Sequence, residues 1–189
     1  GHAWFQIYFS GDGAGTFKLI DRAWQAGYKT LVLTADVPEV GRRPRELRHG
    51  FKMPFKIGPK QFVDFALHPR WSLTSLYAGK PQMANFDMDG YDFDRTESRA
   101  KADWDTLRRL RDMWPGNLVV KGVLDAEDAV ALKGAGVDAV QVSSHGSRQL
   151  DSAPAPILEL AKIRAAVGAD YPLFYDTGLR SGEDVVKAY

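Results

Sequence analysis

A chain of 189 residues with 44% hydrophobic and 26% charged residues is long enough for one domain with a real core. Its formal net charge of +1 gives no electrostatic case for a nucleic-acid partner. The absence of cysteine excludes disulfides, thiolate catalysis and zinc–thiolate sites, and it fits a reducing, cytoplasmic setting. No apolar run reaches the length of a membrane span, and Gly1 to Gln6 has neither the basic nor the apolar region of a signal peptide. The chain lacks an initiator methionine and stops inside a helical pattern at Tyr189, so it is expected to be a piece of a longer protein.

The elements alternate. Trp4 to Phe9 reads as a strand, followed by a glycine-rich turn and a helix capped by Thr16 that runs to about Ala26. Phe17, Leu19, Ile20, Ala23 and Trp24 form its apolar face, and Gly27 closes it. Thr30 to Thr34 is a second strand, apolar enough to be buried on both faces. From Gly41 to about Ala100 the rhythm is lost, apart from a short helix from Lys60 to Leu67; the excursion over residues 44–100 is expected to be a lid or a binding segment. A helix from about Lys101 to Met113 follows, with Ala102, Trp104, Leu107, Leu110 and Met113 apolar. Then come a strand over Leu118 to Val123, a helix capped by Asp125, a strand over Asp138 to Ser143, a helix over Pro156 to Val167, a strand over Leu173 to Asp176 and a last helix opened by Ser181. Five strands alternating with helices predict a parallel α/β sheet, either a barrel or a doubly wound sheet.

Polar residues gather where the strands end: Gln6 and Tyr8, Thr34 and Asp36, Lys121, then Ser143, His145 and Arg148, then Asp176, Gly178 and Arg180. In parallel α/β folds that end of the sheet is where sites are built. His145-Gly146-Ser147-Arg148 places a proton acceptor three residues from a fixed cation, which suits an anionic substrate that must lose a proton. A capping histidine with a surface arginine is the plain alternative. Lys121, closing an apolar strand, needs an anionic partner if buried. Asp176 to Gly182 is either a turn or a phosphate-binding helix start.

These segments, together with Leu33-Thr34-Ala35-Asp36-Val37-Pro38, Gly41-Arg42-Arg43, Val120-Lys121-Gly122-Val123 and Gln149-Leu150-Asp151, resemble the FMN-dependent α-hydroxy-acid dehydrogenases and oxidases, the family of glycolate oxidase, L-lactate dehydrogenase and mandelate dehydrogenase. The resemblance covers almost the whole chain in family order. The stretch from Phe62 to Phe86 looks most like bacterial lactate dehydrogenase-type members. The resemblance implies a (β/α)8 TIM barrel, here incomplete, with about strands three to seven and a long excursion after the chain's second strand. It places the family's first two strands, its last strand with a phosphate-binding Gly-Arg, and an N-terminal tyrosine outside this chain. Ser144 stands where the family usually has Asn, Ser147 where it has Gly or Ala, and Thr177 where many members have Gly.

By the same resemblance, the reaction is oxidation of an L-2-hydroxy acid, lactate-like, to the 2-oxo acid, with FMN as cofactor. His145 would take the substrate proton and Asp36 would stabilise the resulting imidazolium. Arg148 and Arg43 would bind the substrate carboxylate, and Tyr8 would hydrogen-bond the substrate. Lys121 would sit by the flavin N1–C2 edge, favouring the reduced, anionic ring. Gln6, Thr34 and Ser143 would hold the isoalloxazine, and Asp176, Gly178 and Arg180 the ribityl chain and phosphate. A catalytically inert barrel fragment, or an FMN- or phosphate-binding barrel with other redox chemistry, are the alternatives. The electron acceptor is left open between oxygen, a quinone and a cytochrome, and the full-length form is expected to be a homo-oligomer. The Phe, Trp, Lys and Arg content of the excursion suits either a lid over the cofactor or peripheral attachment at the inner face of the cell membrane.

Overall fold

The computed structural model describes residues 2–11, 13–39, 41, 44–50, 57–79 and 102–188. Strands β1 (Trp4–Tyr8), β2 (Thr30–Thr34), β3 (Asn117–Val123), β4 (Ala139–Val142) and β5 (Leu173–Tyr175) form one parallel sheet in the order β1-β2-β3-β4-β5. A doubly wound sheet reverses its order at a switch point. This one advances in a single direction, as a barrel does.

The sheet also curls. The rings of Trp4 on β1 and Phe174 on β5 meet edge to face with centroids 4.9 Å apart. On a flat sheet four inter-strand steps of about 4.8 Å would separate those strands by roughly 19 Å, too far for a ring contact. Val32, Val119 and Ala139 pack with Phe174 inside the curl. The alternate residues Leu31, Leu33, Leu118, Val120, Val140 and Val142 are buried on the opposite face, because successive strand side chains point to opposite sides. Among the described residues β1 and β5 each pair with one strand only, so the barrel is incomplete.

Helices α1 (Ala14–Gln25), α5 (Trp104–Met113), α6 (Ala126–Gly134), α7 (Pro156–Val167) and α8 (Gly182–Ala188) alternate with the strands. Two sequence expectations shift here. Thr16 does not cap α1: the helix starts at Ala14 behind Gly13, whose φ of 83° lets the chain turn early. Thr16 is buried, and its Oγ1 accepts from the Ser10 N–H at 3.3 Å. In α5 the apolar face is narrower than expected. Trp104 and Met113 are exposed, while Trp114, just past the helix, is buried and stacks edge to face on Trp24. Asp103 caps α5 by accepting from Thr106 N–H at 2.8 Å, and Asp125 caps α6 as its sequence predicts.

Residues Gly1–Arg42 with Asp94–Tyr189 make one compact unit and Arg43–Phe93 a second. In the second, the described residues are helical rather than irregular: α2 (Pro44–Arg48), α3 (Pro59–Leu67) and α4 (Pro69–Ala78). Proline opens α3 and α4 at a position where its missing N–H costs nothing. Neither helix has a buried residue.

Candidate active site

The site grows from Lys121 on β3. Its side chain lies inside the curl and only 7% of the residue is exposed, so it requires an anion. Asp176, just past β5, provides one: Lys121 Nζ donates to Asp176 Oδ2 at 2.5 Å and to Ser143 Oγ at 2.6 Å. Partial burial pushes the Asp176 carboxyl up. Hydrogen bonds from Lys121 and Ser143, with the charge of Lys121, outweigh that and hold it below the ordinary carboxylate value. Thr177 Oγ1 donates to the other carboxylate oxygen at 3.0 Å, with Thr177 held at φ 87°, a strained conformation for a β-branched residue.

Gln141 completes this network, and sequence reasoning passed over it. Its Nε2 donates to Asp176 Oδ2 at 2.9 Å. The signal was present: a lone amide in Ala139-Val140-Gln141-Val142, in phase with Ser143 and so on the inner face.

Ser143 links this network to His145. Its Oγ accepts from the His145 backbone N–H at 3.1 Å. His145 opens a short 3₁₀ turn, His145–Ser147, with φ 54°, and Ser147 is at φ 57°. This turn swings the imidazole towards Asp36, after β2: Nδ1 lies 3.1 Å from Asp36 Oδ1. A carboxylate there selects the tautomer with the proton on Nδ1 and leaves Nε2 as an acceptor. Asp36 sits close because β3 bulges at Gly122, where the register with β4 shifts. Gly122 has φ +100°, and a Cβ on it would lie 2.5 Å from Asp36 Cβ and Cγ. The Tyr8 ring is 6.2 Å, centroid to centroid, from the His145 ring.

The remaining predicted residues fall into three groups. Gln6 Nε2 donates to Thr34 Oγ1 at 2.9 Å, tying β1 to β2 on the inner face. Arg148 ends the His145 turn and is exposed; its carbonyl lies against Gly41, whose N–H donates to Gln149 Oε1 at 3.0 Å. Arg43 lies outside the described residues. Past β5, Gly178 has φ +84° with open space where a side chain would stand. The Arg180 and Ser181 N–H groups donate to Asp184 Oδ2, a capping arrangement that opens α8. These N–H groups are therefore already satisfied within the chain. A cavity of about 260 Å³ lined by Leu33, Trp104, Val120 and Leu132 lies on the helix-facing side of the sheet, away from these groups.

A curled parallel sheet with a carboxylate-held imidazole and an ion-paired lysine gathered at the ends of its strands has the architecture of the α/β-barrel class, whose sites are built at that rim. The family model "FMN-dependent dehydrogenase" matches residues 1–189, and the chain belongs to that family. It is 42% identical to (S)-mandelate dehydrogenase of Pseudomonas putida, with all of this chain and 49% of that protein aligned. It is 35% identical to a putative L-lactate dehydrogenase of Mycobacterium tuberculosis, over all of this chain and 46% of the relative. Among solved structures, the monotopic membrane protein (S)-mandelate dehydrogenase superposes with a TM-score of 0.89 at 40% identity, over 100% of this chain and 52% of that one. The chain thus spans about half the length of the curated relatives it matches.

The residues present fit the family's cofactor. A cation and hydroxyls line the inner rim with the amides of Gln6 and Gln141, and Gly178 beside Arg180 has open space where a side chain would stand.

Proposed function

We propose that this chain carries the catalytic residues for FMN-dependent oxidation of an L-2-hydroxy acid to its 2-oxo acid. The observation that supports this best is the His145–Asp36 pair, fixed beside the Lys121 network by Ser143. FMN, when bound, supplies a two-electron acceptor. Nε2 of His145 receives the proton that the substrate gives up as it is oxidised. Asp36, already against Nδ1, stabilises the positive imidazolium so formed. Arg148 and Arg43 hold the substrate carboxylate, and Tyr8 orients the hydroxyl. Lys121 presents its charge to the pyrimidine edge of the cofactor; Gln6, Thr34 and Ser143 contact the ring, and Asp176, Gly178 and Arg180 the ribityl phosphate.

The relatives carry both mandelate and L-lactate names, so both acids are assayed. Under anaerobic conditions, L-lactate or (S)-mandelate is expected to bleach the bound flavin, and the mirror-image acid is not. Equal bleaching by both enantiomers, or none by any 2-hydroxy acid, would reject this reading.

A second reading concerns the Arg43–Phe93 unit. Phe62, Leu67, Leu73, Leu76 and Tyr77 are all exposed, with Tyr77 at 96%. Between Gly41 and Lys80 the sequence holds nine Lys and Arg against two acidic residues, Glu46 and Asp64, in a chain of net charge +1. Apolar side chains amid basic ones suit the surface of an anionic bilayer, and the solved relative (S)-mandelate dehydrogenase is a monotopic membrane protein. No helix among the described residues is long and apolar enough to cross a membrane. This unit is therefore proposed to lie on the bilayer. Sedimentation with phosphatidylglycerol vesicles is expected, and the double substitution Leu76→Glu, Tyr77→Glu should abolish it. Failure of the unaltered protein to sediment would refute the bilayer contact.

A further inference from the structure

We infer that Gln141 is a positioning residue that sets how much of the Lys121 charge reaches the flavin. The inference rests on the reading that Lys121 faces the cofactor.

Asp176 Oδ2 receives two donors of different kinds, the Lys121 ammonium at 2.5 Å and the Gln141 amide at 2.9 Å. Both come from the inner face, from neighbouring strands: Lys121 and Gln141 are register partners across β3 and β4. The carboxylate therefore sits over one step of the sheet, held from both strands. An amide donates without bringing charge. It spreads part of the negative charge of Asp176 away from the ammonium, and so loosens the pairing of Lys121 with its counter-ion. A cation at this position would neutralise Asp176 outright. A carboxylate would compete with it for Lys121. An aliphatic side chain, which the surrounding Val140 and Val142 would lead one to expect, would leave Lys121 to satisfy that oxygen without the amide's help. The field of Lys121 outside the pair is then greater with the amide in place than with an aliphatic side chain or a carboxylate there.

The consequence concerns the cofactor's electron affinity. In the FMN-loaded enzyme, Gln141→Leu is expected to make the potential of the bound flavin more negative. It is also expected to weaken sulfite binding, which depends on positive charge near the ring's pyrimidine edge, by about tenfold; for a two-electron couple that factor corresponds to about 30 mV. Gln141→Glu is expected to shift both further in the same direction. In an Asp176→Asn background the Gln141→Leu change should lose its effect, since the group through which the amide acts is gone.

A role confined to filling the sheet would alter thermal stability while leaving potential and sulfite affinity in place, and that result in both Gln141 variants overturns the inference. The same result in Gln141→Leu overturns it even if Asp176→Asn fails to hold FMN. Lys121→Met, or Lys121→Gln where the methionine variant does not fold, tests the underlying reading separately. An unchanged potential there removes Lys121 from the flavin. A lowered potential there, with no response to either Gln141 variant, rejects the inference alone.

Discussion

Replacing His145 by glutamine is expected to lower turnover of the 2-hydroxy acid by roughly 10²- to 10⁴-fold, the usual range for a positioned proton-transfer group. FMN should remain bound, because the groups assigned to the cofactor lie on other residues. Glutamine keeps a donor that can reach Asp36 but has no nitrogen that accepts a proton near neutral pH. The loss should therefore fall on kcat rather than on flavin content. Flavin absorbance per mole of protein, read beside the anaerobic bleaching rate, separates the two. An intact bleaching rate in a flavin-replete variant would remove His145 from the chemistry.

Gly122→Ala is expected to reach the same chemistry from the opposite side of the pair. The new methyl would stand 2.5 Å from Asp36 Cβ and Cγ, at a backbone φ of +100° that a side chain rarely adopts. Strain and overpacking together predict a stability loss of about 3 kcal/mol. The loss should come with a fall in turnover, because the methyl presses on Asp36 and displaces it from Nδ1. A thermal melt and the bleaching assay on one preparation test both halves. A variant with full stability and full turnover would contradict the close approach of the bulge to Asp36.

Much of the frame was legible in the sequence because it depends on local patterns. The alternation of apolar runs with capped helices placed all five strands to within a residue or two, and Asp125 announced α6. What was misplaced depended on tertiary packing. Thr16 looked like a cap, but Gly13 can adopt the left-handed conformation that starts α1 earlier, which frees Thr16 for the core. Met113 looked buried by periodicity, but the chain turns at the helix end and brings Trp114 inwards instead. The helices of residues 59–78 were only half seen, because their apolar side chains are exposed and no single buried stripe marks them.

The site divides in the same way. Lys121, Ser143, His145 and Asp36 were recognisable as polar residues at strand ends, and the fold brings them together. Gln141 was not, because its partner, Asp176, lies 35 residues further along the chain and meets it only once β5 has paired with β4. Its phase with Ser143 places the amide on the inner face, but nothing local to Ala139-Val140-Gln141-Val142 says that a carboxylate will meet it there.

The ion pair between β3 and β5 spans 55 residues of sequence, and this has a bearing on the birth of the molecule. A ribosome delivers Lys121 well before its counter-ion. Until Asp176 emerges, an ammonium seated in that apolar layer would be buried without a counter-ion, so it has to stay near water. The nascent sheet thus has a reason to keep its rim open to water until β5 has been made, when Asp176 gives the cation its partner.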